Sequence, residues 1–231
     1  MSLSHSPKIV TNGLVLCLDA ADKKSYPGTG TLWTDRSGNG NNGTLTNGPT
    51  FNSANGGSIV FDGVDDIVLV NNSPTINPTS AVTVSAFFKI SSYTSNYAPI
   101  CFKQNNYPGQ YEQYQLSLSN SAVGFVVTGV DRNQRILLSN IDYRNMFVHL
   151  VGVCDTISDE MKLYVNGILI ATTTFTSTFD ISTNPLRIGA MPTSYLGFAN
   201  GNIYNVSLYN RALTPQEIKQ NFNATRGRYG I

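Results

Sequence analysis

The chain has 231 residues, with 15 Lys and Arg against 14 Asp and Glu, and a formal net charge of +1. This length suits one all-β domain, and the charge balance excludes the basic surface that a nucleic-acid-binding protein needs. Charged residues make up 13% of the chain, about half the usual share, so Asn, Ser and Thr supply much of the polarity. A weakly charged surface favours association, so we expect a protein that works inside an assembly.

The first part of the chain is predicted to contain an arm, a strand and a tight loop. Residues 1–12 form the arm, and we expect Ser2–Lys8 to become ordered only against a neighbouring molecule. Apolar side chains alternate through Leu14–Leu18, which predicts the first strand. The nine residues Asp35–Gly43 include three Asn and three Gly. Because these residue types tolerate positive φ, the run predicts a multiply turned loop.

Short strands and a single helix are predicted for the rest of the chain. Apolar runs on both sides of Asp62-Gly63, and again of Asn166-Gly167, predict two β-hairpins. Thr214-Pro215-Gln216-Glu217 predicts a capping box that starts a helix ending near Phe222. Residues 224–231 are predicted to be a tail, free or bound to a partner. The other predicted strands are Val82–Ile90, Ile100–Lys103, Tyr114–Leu118, Val123–Thr128, Arg135–Leu138, Phe147–Asp155, Leu186–Gly189 and Gly201–Tyr209.

These strands predict one all-β domain over residues 13–223, an antiparallel sandwich of two sheets packed face to face. Phe147, Val151 and Val153 lie on one face of their strand, and we expect that face to line the core.

The three cysteines, Cys17, Cys101 and Cys154, lie in apolar runs without the paired spacing of a zinc site, so buried free thiols are predicted. The N-terminus lacks an apolar signal core, and no run is long enough to span a bilayer. We therefore expect synthesis in a cytoplasm and no membrane insertion.

Six motifs, in order along the chain, resemble the laminin-G-like, concanavalin A-like family of jelly rolls. They are Gly13-Leu-Val-Leu-Cys-Leu-Asp19, Trp33-Thr-Asp-Arg-Ser-Gly-Asn-Gly-Asn-Asn-Gly43, Phe61-Asp-Gly-Val-Asp-Asp66, Phe147-Val-His-Leu-Val151, Leu163-Tyr-Val-Asn-Gly167 and the run Gly201–Ile218. The resemblance implies a jelly roll, and the Asn-rich sequence resembles the copies on virion proteins of tailed phages. Two positions depart from the family: Phe147 replaces a frequent Trp, and Tyr204 replaces a frequent Asp.

Catalytic residues are not expected. Glucanases with this fold carry Glu-x-Asp-x-x-Glu on one strand, which places acid and nucleophile on the same face of the sheet. No strand here has that pattern, and the pairs Asp65-Asp66 and Asp159-Glu160 are predicted to be solvated turn carboxylates. His149 lies in a core strand, where a structural histidine with satisfied hydrogen bonds is expected.

A calcium site is one interpretation of the glycine-rich loop. Asp19 closes the first strand, and Asp35 and Asn41 lie in the loop, so their oxygens and the carbonyls of residues 37–41 could surround Ca²⁺. The alternative is a network of Asx turns without metal. Where relatives hold a cation with the Asp that Tyr204 replaces, this chain would be one ligand short.

Five tyrosines lie close together in a loop-rich stretch and are candidate ligand-binding or partner-binding residues. They are Tyr93, Tyr97, Tyr107, Tyr111 and Tyr114. Tyrosine rings suit both the faces of sugars and protein interfaces. Ordinary packing is the alternative.

The function expected from the sequence is a non-catalytic structural or decorating protein of a phage particle, on its capsid, tail or fibre. Its location would be the virion, and its partners other virion proteins or further copies of itself. The alternative is a carbohydrate-binding adhesion module on an extracellular surface, with a glycan as partner. A glycoside hydrolase is the second alternative, which the missing carboxylate pattern opposes.

Overall fold

The computed structural model describes residues 7–93, 97–106, 112–119, 122–191 and 197–231, and of Tyr93 only the backbone. These residues form a sandwich of two antiparallel sheets with one α-helix, α1 (Pro215–Thr225). The strands are β1 (Leu14–Asp19), β2 (Leu32–Trp33), β3 (Gly43–Thr46), β4 (Thr50–Asn52), β5 (Ser58–Asp62), β6 (Ile67–Val70), β7 (Ala81–Tyr93), β8 (Tyr97–Gln104), β9 (Glu112–Ser119), β10 (Ala122–Thr128), β11 (Gln134–Leu138), β12 (Val148–Asp155), β13 (Glu160–Val165), β14 (Ile168–Thr174), β15 (Leu186–Ile188) and β16 (Ala199–Tyr209). The predicted all-β sandwich is confirmed.

The first sheet has the order β14-β13-β12-β7-β16-β5-β4, with β1 also pairing to β16. The second sheet has the order β11-β10-β9-β8-β15-β6-β3-β2. Strands that are neighbours in sequence, such as β13 and β14, pair directly. The last strand, β16, lies in the middle of the first sheet and pairs with both β7 and β5. Among the described residues no helix is both long enough and apolar enough to cross a membrane.

The main core lies between the two sheets. Gly152 of β12 packs so closely on the ring of Phe125 that a β-carbon there would collide with it, so this position requires glycine. Cys101 and Cys154 belong to this core, and all three cysteines are buried free thiols, as predicted. Burial, with the charge of Asp19 as the next cause, raises the pKa of Cys17 to about 12, so its thiol stays protonated.

One predicted hairpin is confirmed and the other is wrong. Asn166 and Gly167 have φ of 52° and 78°, as a type I′ turn requires, and they join β13 to β14. The chain on either side of Asp62-Gly63 does not pair with itself, because β5 belongs to the first sheet and β6 to the second. Two apolar runs around a turn look alike in sequence whether the turn closes a hairpin or crosses the sandwich.

A second layer of packing covers the outer face of the first sheet. Helix α1 lies there, and its Ile218 forms a buried cluster with Val151 and Val153. Val10, Tyr164, Tyr209 and Leu213 complete the cluster. The prediction that Val151 and Val153 are core residues is confirmed, and their cluster lies between β12 and α1 rather than between the two sheets. Both faces of β12 are apolar, so alternation alone cannot say which face meets the other sheet.

The described part of the N-terminal arm is attached to α1. The amide of Val10 donates to Asn221 Oδ1 at 2.8 Å, and the carbonyl of Lys8 accepts from Gln220 Nε2 at 2.7 Å. Lys8 thus has a partner within its own chain, contrary to the expectation for the whole of Ser2–Lys8. Residues 1–6 lie outside the described residues.

The C-terminal tail also packs on the first sheet. Tyr229 is 5% exposed, and its ring lies 4.8 Å from those of Phe87 and Tyr204 and 5.6 Å from that of Phe147. Arg228 Nη1 lies 2.7 Å from Asp19 Oδ2. The prediction of a free or partner-bound tail is therefore wrong, because aromatic burial and an ion pair hold it on its own domain. Helix α1 ends at Thr225, three residues beyond the predicted end.

Candidate functional site

The glycine-rich loop is organised by the carboxylate of Asp35. Its Oδ1 accepts from the amides of Cys17 and Ser37 at 2.8 and 2.9 Å. Its Oδ2 accepts from Ser37 Oγ at 2.7 Å and from the Asn41 amide at 3.0 Å. Gly38 and Gly40 adopt φ of 92° and 74°, as the loop prediction requires. These bonds occupy the lone pairs that a cation would use.

The other two predicted metal ligands also have protein partners. Asn41 Oδ1 accepts from Ser73 Oγ at 2.7 Å. Asp19 Oδ1 accepts from the Ala21 amide at 3.0 Å, and Asp19 Oδ2 pairs with Arg228. The hydrogen bonds of the Asx-turn alternative are thus present, so we favour that alternative, and calcium binding is the interpretation that remains to be tested.

Replacing Asp35 with Ala should cost about 2–4 kcal/mol of unfolding free energy, because several buried donors lose their acceptor. With these lone pairs occupied, we expect saturating Ca²⁺ to leave the parent's melting temperature unchanged. A calcium-dependent rise that Asp35→Ala abolishes would instead establish the ion. Calorimetry of both proteins, with and without Ca²⁺ after chelation, makes the measurement.

Among the predicted ligand-binding tyrosines, Tyr114 is a correction. It is fully buried in the main core, and its hydroxyl donates to the Ile76 carbonyl at 2.8 Å, so it faces the sandwich interior rather than a ligand. Tyr97 is 38% exposed at the start of β8. Tyr107, Tyr111 and the side chain of Tyr93 lie outside the described residues.

A cross-strand row on the outer face of the second sheet was missed by the sequence reading. Thr44, Leu69, Arg187, Phe102 and Gln115 follow one another across β3, β6, β15, β8 and β9 in register, and we call them the outer row. Their neighbours along the strands, such as Ile188 and Leu116, belong to the main core. Because side chains alternate between the faces of a sheet, the outer row points away from the core.

The outer row changes from exposed to buried along its length. Thr44 is exposed, Leu69 and Arg187 are half-buried, and Phe102 and Gln115 are buried. The row is therefore accessible at its β3–β6–β15 end. The polar residues Gln113, Gln115 and Ser117 alternate with core residues along β9, and this was the only sequence signal for a polar outer face.

Polar atoms of this face lack partners. Arg187 Nη1 and Gln115 Nε2 are buried without a hydrogen bond, as are Gln113 Oε1 and Thr128 Oγ1. Burial lowers the pKa of Arg187. An unmatched buried polar group costs roughly 1–3 kcal/mol, so such atoms mark places where water or a ligand supplies the missing bond.

An acidic turn and a Ser–His pair are the other candidates. Carboxylate oxygens of Asp62, Asp65 and Asp66 lie within 4.8 Å of one another. Burial is the main cause that raises the pKa of Asp66, and Asp66 Oδ2 accepts from the Asp62 amide at 2.9 Å. This bond shapes the crossing from β5 to β6.

The Ser–His pair is buried on the first sheet, where Ser85 Oγ lies 2.9 Å from His149 Nε2. His149 Nδ1 has no partner, so no carboxylate orients the ring as in a catalytic triad. The expectation of satisfied hydrogen bonds therefore holds for Nε2 of His149 but not for Nδ1. Its ring stacks on Phe87 at 4.4 Å, and burial lowers its pKa to about 3, which makes it a neutral packing residue.

Comparisons with known proteins agree with this architecture. The family model of the concanavalin A-like lectin/glucanases superfamily, Laminin_G_3, matches residues 62–219. No curated protein matches the chain.

Similar solved structures include the binding domain of Paraclostridial mosquitocidal protein 1, with 16% identity, a TM-score of 0.73 and coverage of 93% of this chain and 52% of that one. The ligand binding domain of botulinum neurotoxin serotype D, in complex with N-acetylneuraminic acid, has 16% identity, a TM-score of 0.71 and coverage of 92% and 51%. The binding domain of botulinum neurotoxin serotype G has 15% identity, a TM-score of 0.68 and coverage of 90% and 50%. This chain spans about half the length of these structures, and at such identities the likeness establishes the fold alone.

Proposed function

Since the chain belongs to the concanavalin A-like lectin/glucanases superfamily, we propose that it is a non-catalytic carbohydrate-binding module. Its glycan binds at the accessible end of the outer row. Support comes from similar structures that are binding domains, one of them in complex with N-acetylneuraminic acid. The alternative drawn from the sequence is thereby favoured over a purely structural role.

The observation that carries this proposal is the half-buried Arg187 beside apolar Leu69, where the outer row becomes accessible. Sugars present hydroxyl acceptors and donors around an apolar ring face, and binding sites combine apolar walls with a few convergent polar groups. Arg187 and Thr44 supply polar groups where the row opens, and Leu69 supplies apolar surface between them.

The carboxylates of the described strands support a non-catalytic role. Asp155 and Glu160 face each other across β12 and β13, but Glu160 is paired with Lys162 at 2.5 Å and Asp155 Oδ1 accepts from the Ile157 amide. In the described strands no two Asp or Glu residues alternate on one face. The one Ser–His pair noted above is buried and lacks an orienting carboxylate. Hydrolysis of a glycosidic bond needs two carboxyl groups flanking it, and this arrangement does not provide them on a strand.

Binding to immobilised glycans tests the proposal. The parent should bind a subset of the glycans, and Arg187→Gln should weaken that binding about tenfold or more, because a hydrogen bond from a charged group is lost. Arg36→Gln is the matched control, since Arg36 pairs with Asp22 at 3.2 Å in an exposed loop. If the parent binds no glycan, or the two variants behave alike, the proposed site is wrong.

A role in a particle remains the second candidate, favoured by exposed apolar side chains at the free edges of the two sheets. Leu138 is 50% exposed beside β14 Ile170, which is 39% exposed, and Ile141, 54% exposed, shares their groove. Strand β14 is an edge strand without charge or proline along Ile168–Thr174, and such edges pair readily with another strand. A second copy, paired through β14, is the partner that this edge fits.

Light scattering at increasing protein concentration tests this association. The parent should form dimers or larger species, and Ile170→Lys should keep the protein monomeric, because a charged edge side chain opposes strand pairing. Val64→Lys, at a site that is 68% exposed on another part of the surface, is the control. A parent that stays monomeric at high concentration would remove support for assembly through β14.

A further inference from the structure

Among the residues that the structure describes, Lys103 is the one buried lysine, and its amine contacts an amide side chain. It lies on β8, on the same face as the core residues Cys101 and Tyr114. Its Nζ donates to Asn72 Oδ1 at 2.6 Å and to the carbonyl of Asn184. Since a C=O bond is about 1.2 Å long, Nζ lies within about 3.8 Å of the amide carbon Cγ of Asn72. An amine and a carboxamide are thus held in contact.

The surroundings of this amine make it a better nucleophile than an ordinary lysine. Burial, with the charge of Arg187 as the second cause, lowers the pKa of Lys103 to about 8. At pH 8 about half of the amine is then neutral, whereas an exposed lysine is almost fully charged. The neutral amine has the lone pair that attacks a carbonyl carbon. Desolvation and a neighbouring cation are the two means by which proteins activate lysine nucleophiles.

The carbonyl of the Asn72 side chain is polarised by a second donor. Asn77 Nδ2 donates to Asn72 Oδ1 at 3.0 Å. The Asn77 amide is itself held in place, because Nδ2 also donates to the Ser73 carbonyl at 3.1 Å and Oδ1 accepts from the Ser182 amide at 3.2 Å. A fixed donor on a carbonyl oxygen stabilises the negative charge that develops there under nucleophilic attack. Asn72 is exposed, so a small leaving group can depart into solvent.

We propose that Lys103 and Asn72 join in an intramolecular isopeptide bond. The lone pair of Nζ forms a bond to Asn72 Cγ, the Cγ–Nδ2 bond breaks, and one proton passes from Nζ to Nδ2 through solvent at the exposed side. The nitrogen leaves as ammonia, and no oxidant, reductant or other reactant is needed. Contact between well-oriented groups gives effective concentrations of up to about 10⁵–10⁸ M, which offsets the low reactivity of an amide.

This bond ties the two sheets of the sandwich together through the chain that connects them. Lys103 pairs with Leu186 of β15, and Leu186 pairs with Val70, two residues before Asn72. The closed loop of residues 72–103 contains β7, which lies in the middle of the first sheet, whereas β6 and β8 belong to the second. A covalent loop restricts the unfolded chain as a disulfide does, so the linked protein should melt about 5–10 °C above the unlinked one.

Mass spectrometry of the full chain tests the proposal. The parent should be lighter by one ammonia than its sequence requires. After digestion with trypsin, residues 37–89 and 90–132 should remain joined, because a modified Lys103 is no longer cut. Lys103→Met and Asn72→Ala should each have the full mass and a lower melting temperature than the parent. Asn71→Ala, at the exposed neighbouring position, is the matched control and should be linked like the parent.

Two results would overturn the isopeptide bond. The first is a folded parent with the full mass of its sequence. The second is a parent that has lost ammonia while trypsin still cuts after Lys103, because a succinimide formed by an asparagine on its own backbone gives that pattern. Both results come from the parent alone, so they do not depend on whether a variant folds.

Refolding tests the part played by the lysine amine. Chain isolated unfolded in urea should gain the bond only after refolding, and faster above pH 8 than below it, because the amine must lose its proton. The charged or titratable groups facing Lys103 are Arg187 on β15, Tyr114 on β9 and Cys101 on β8. Burial raises the pKa of both Tyr114 and Cys101 well above their ordinary values, so they stay neutral. A rate that does not change with pH would contradict attack by the amine.

The donor Asn77 is tested in the same refolding experiment. Asn77→Asp keeps an acceptor for the Ser182 amide but removes the donor to Asn72 Oδ1. The bond should then form about tenfold or more slowly, because one hydrogen bond to the developing charge is lost. Formation at the parent's rate would show that Asn77 does not assist the reaction.

Discussion

Val151→Asp is expected to separate α1 from the first sheet and to remove most of the domain's stability. Val151 is 1% exposed among Val10, Tyr164 and the helix residue Ile218, so the new carboxylate would be buried without a partner. The expected loss is on the order of 4 kcal/mol, a large part of the roughly 5–15 kcal/mol that stabilises a typical domain. Urea unfolding followed by circular dichroism measures it.

Controls for this substitution come from the same chain. Ile218→Asp should reproduce the loss from the helix side, because Ile218 is fully buried in the same cluster. Val64→Asp should change stability by less than about 0.5 kcal/mol, because Val64 is 68% exposed. If Val151→Asp unfolds at the parent's urea concentration, the helix does not cover this face of β12.

Acid should destabilise the domain through His149. Its folded-state pKa of about 3 lies below its ordinary 6.5. Between these two pH values the imidazole binds a proton in the unfolded chain and stays neutral in the folded chain. The stability it contributes is complete above pH 6.5 and falls as pH decreases toward 3, at about 1.4 kcal/mol per pH unit. By pH 4 the loss should be on the order of 3 kcal/mol.

His149→Gln isolates this term. Glutamine can keep the bond to Ser85 but does not titrate, so the variant should be less stable than the parent at pH 7 and should lose less stability on acidification. The pH dependence of the variant must be subtracted from that of the parent, because Glu217 also contributes stability that is lost as pH falls. Arg211 lowers the pKa of Glu217 to about 2. Urea unfolding at pH 7 and pH 4 makes the comparison. Parallel pH dependence in the two proteins would mean that His149 is protonated in the folded state.

The polar face of the second sheet shows why the candidate site was not found from sequence. Thr44 and Gln115 are 71 positions apart in the sequence. In the sheet, β15 lies between β6 and β8, although it comes much later in the chain than either of them. Nothing local in Leu186-Arg187-Ile188 distinguishes an unpaired arginine from an ordinary surface one. The tyrosines drew attention because they are close in sequence, yet Tyr114 points into the core.

Features decided by neighbouring residues were available from the sequence. The Asn166-Gly167 turn, the capping box in which Thr214 Oγ1 accepts from the Glu217 amide at 3.3 Å, and the loop around Asp35 all depend on backbone angles and hydrogen bonds within a few residues. Alternation of apolar residues likewise predicted most strands and, with the motifs, the sandwich. Local chemistry restricts these segments before any distant contact forms.

Tertiary structure alone decided what each surface meets. Four features depend on which strands pair and on what covers them. They are the direction of Val151, the passage of the chain between sheets after Asp62, the docking of Tyr229 and the partial burial of Arg187. A strand that is apolar on both faces, such as β12, satisfies either orientation locally. The choice is made by burial and pairing among residues far apart in the chain, and these contacts have no signature within a single segment.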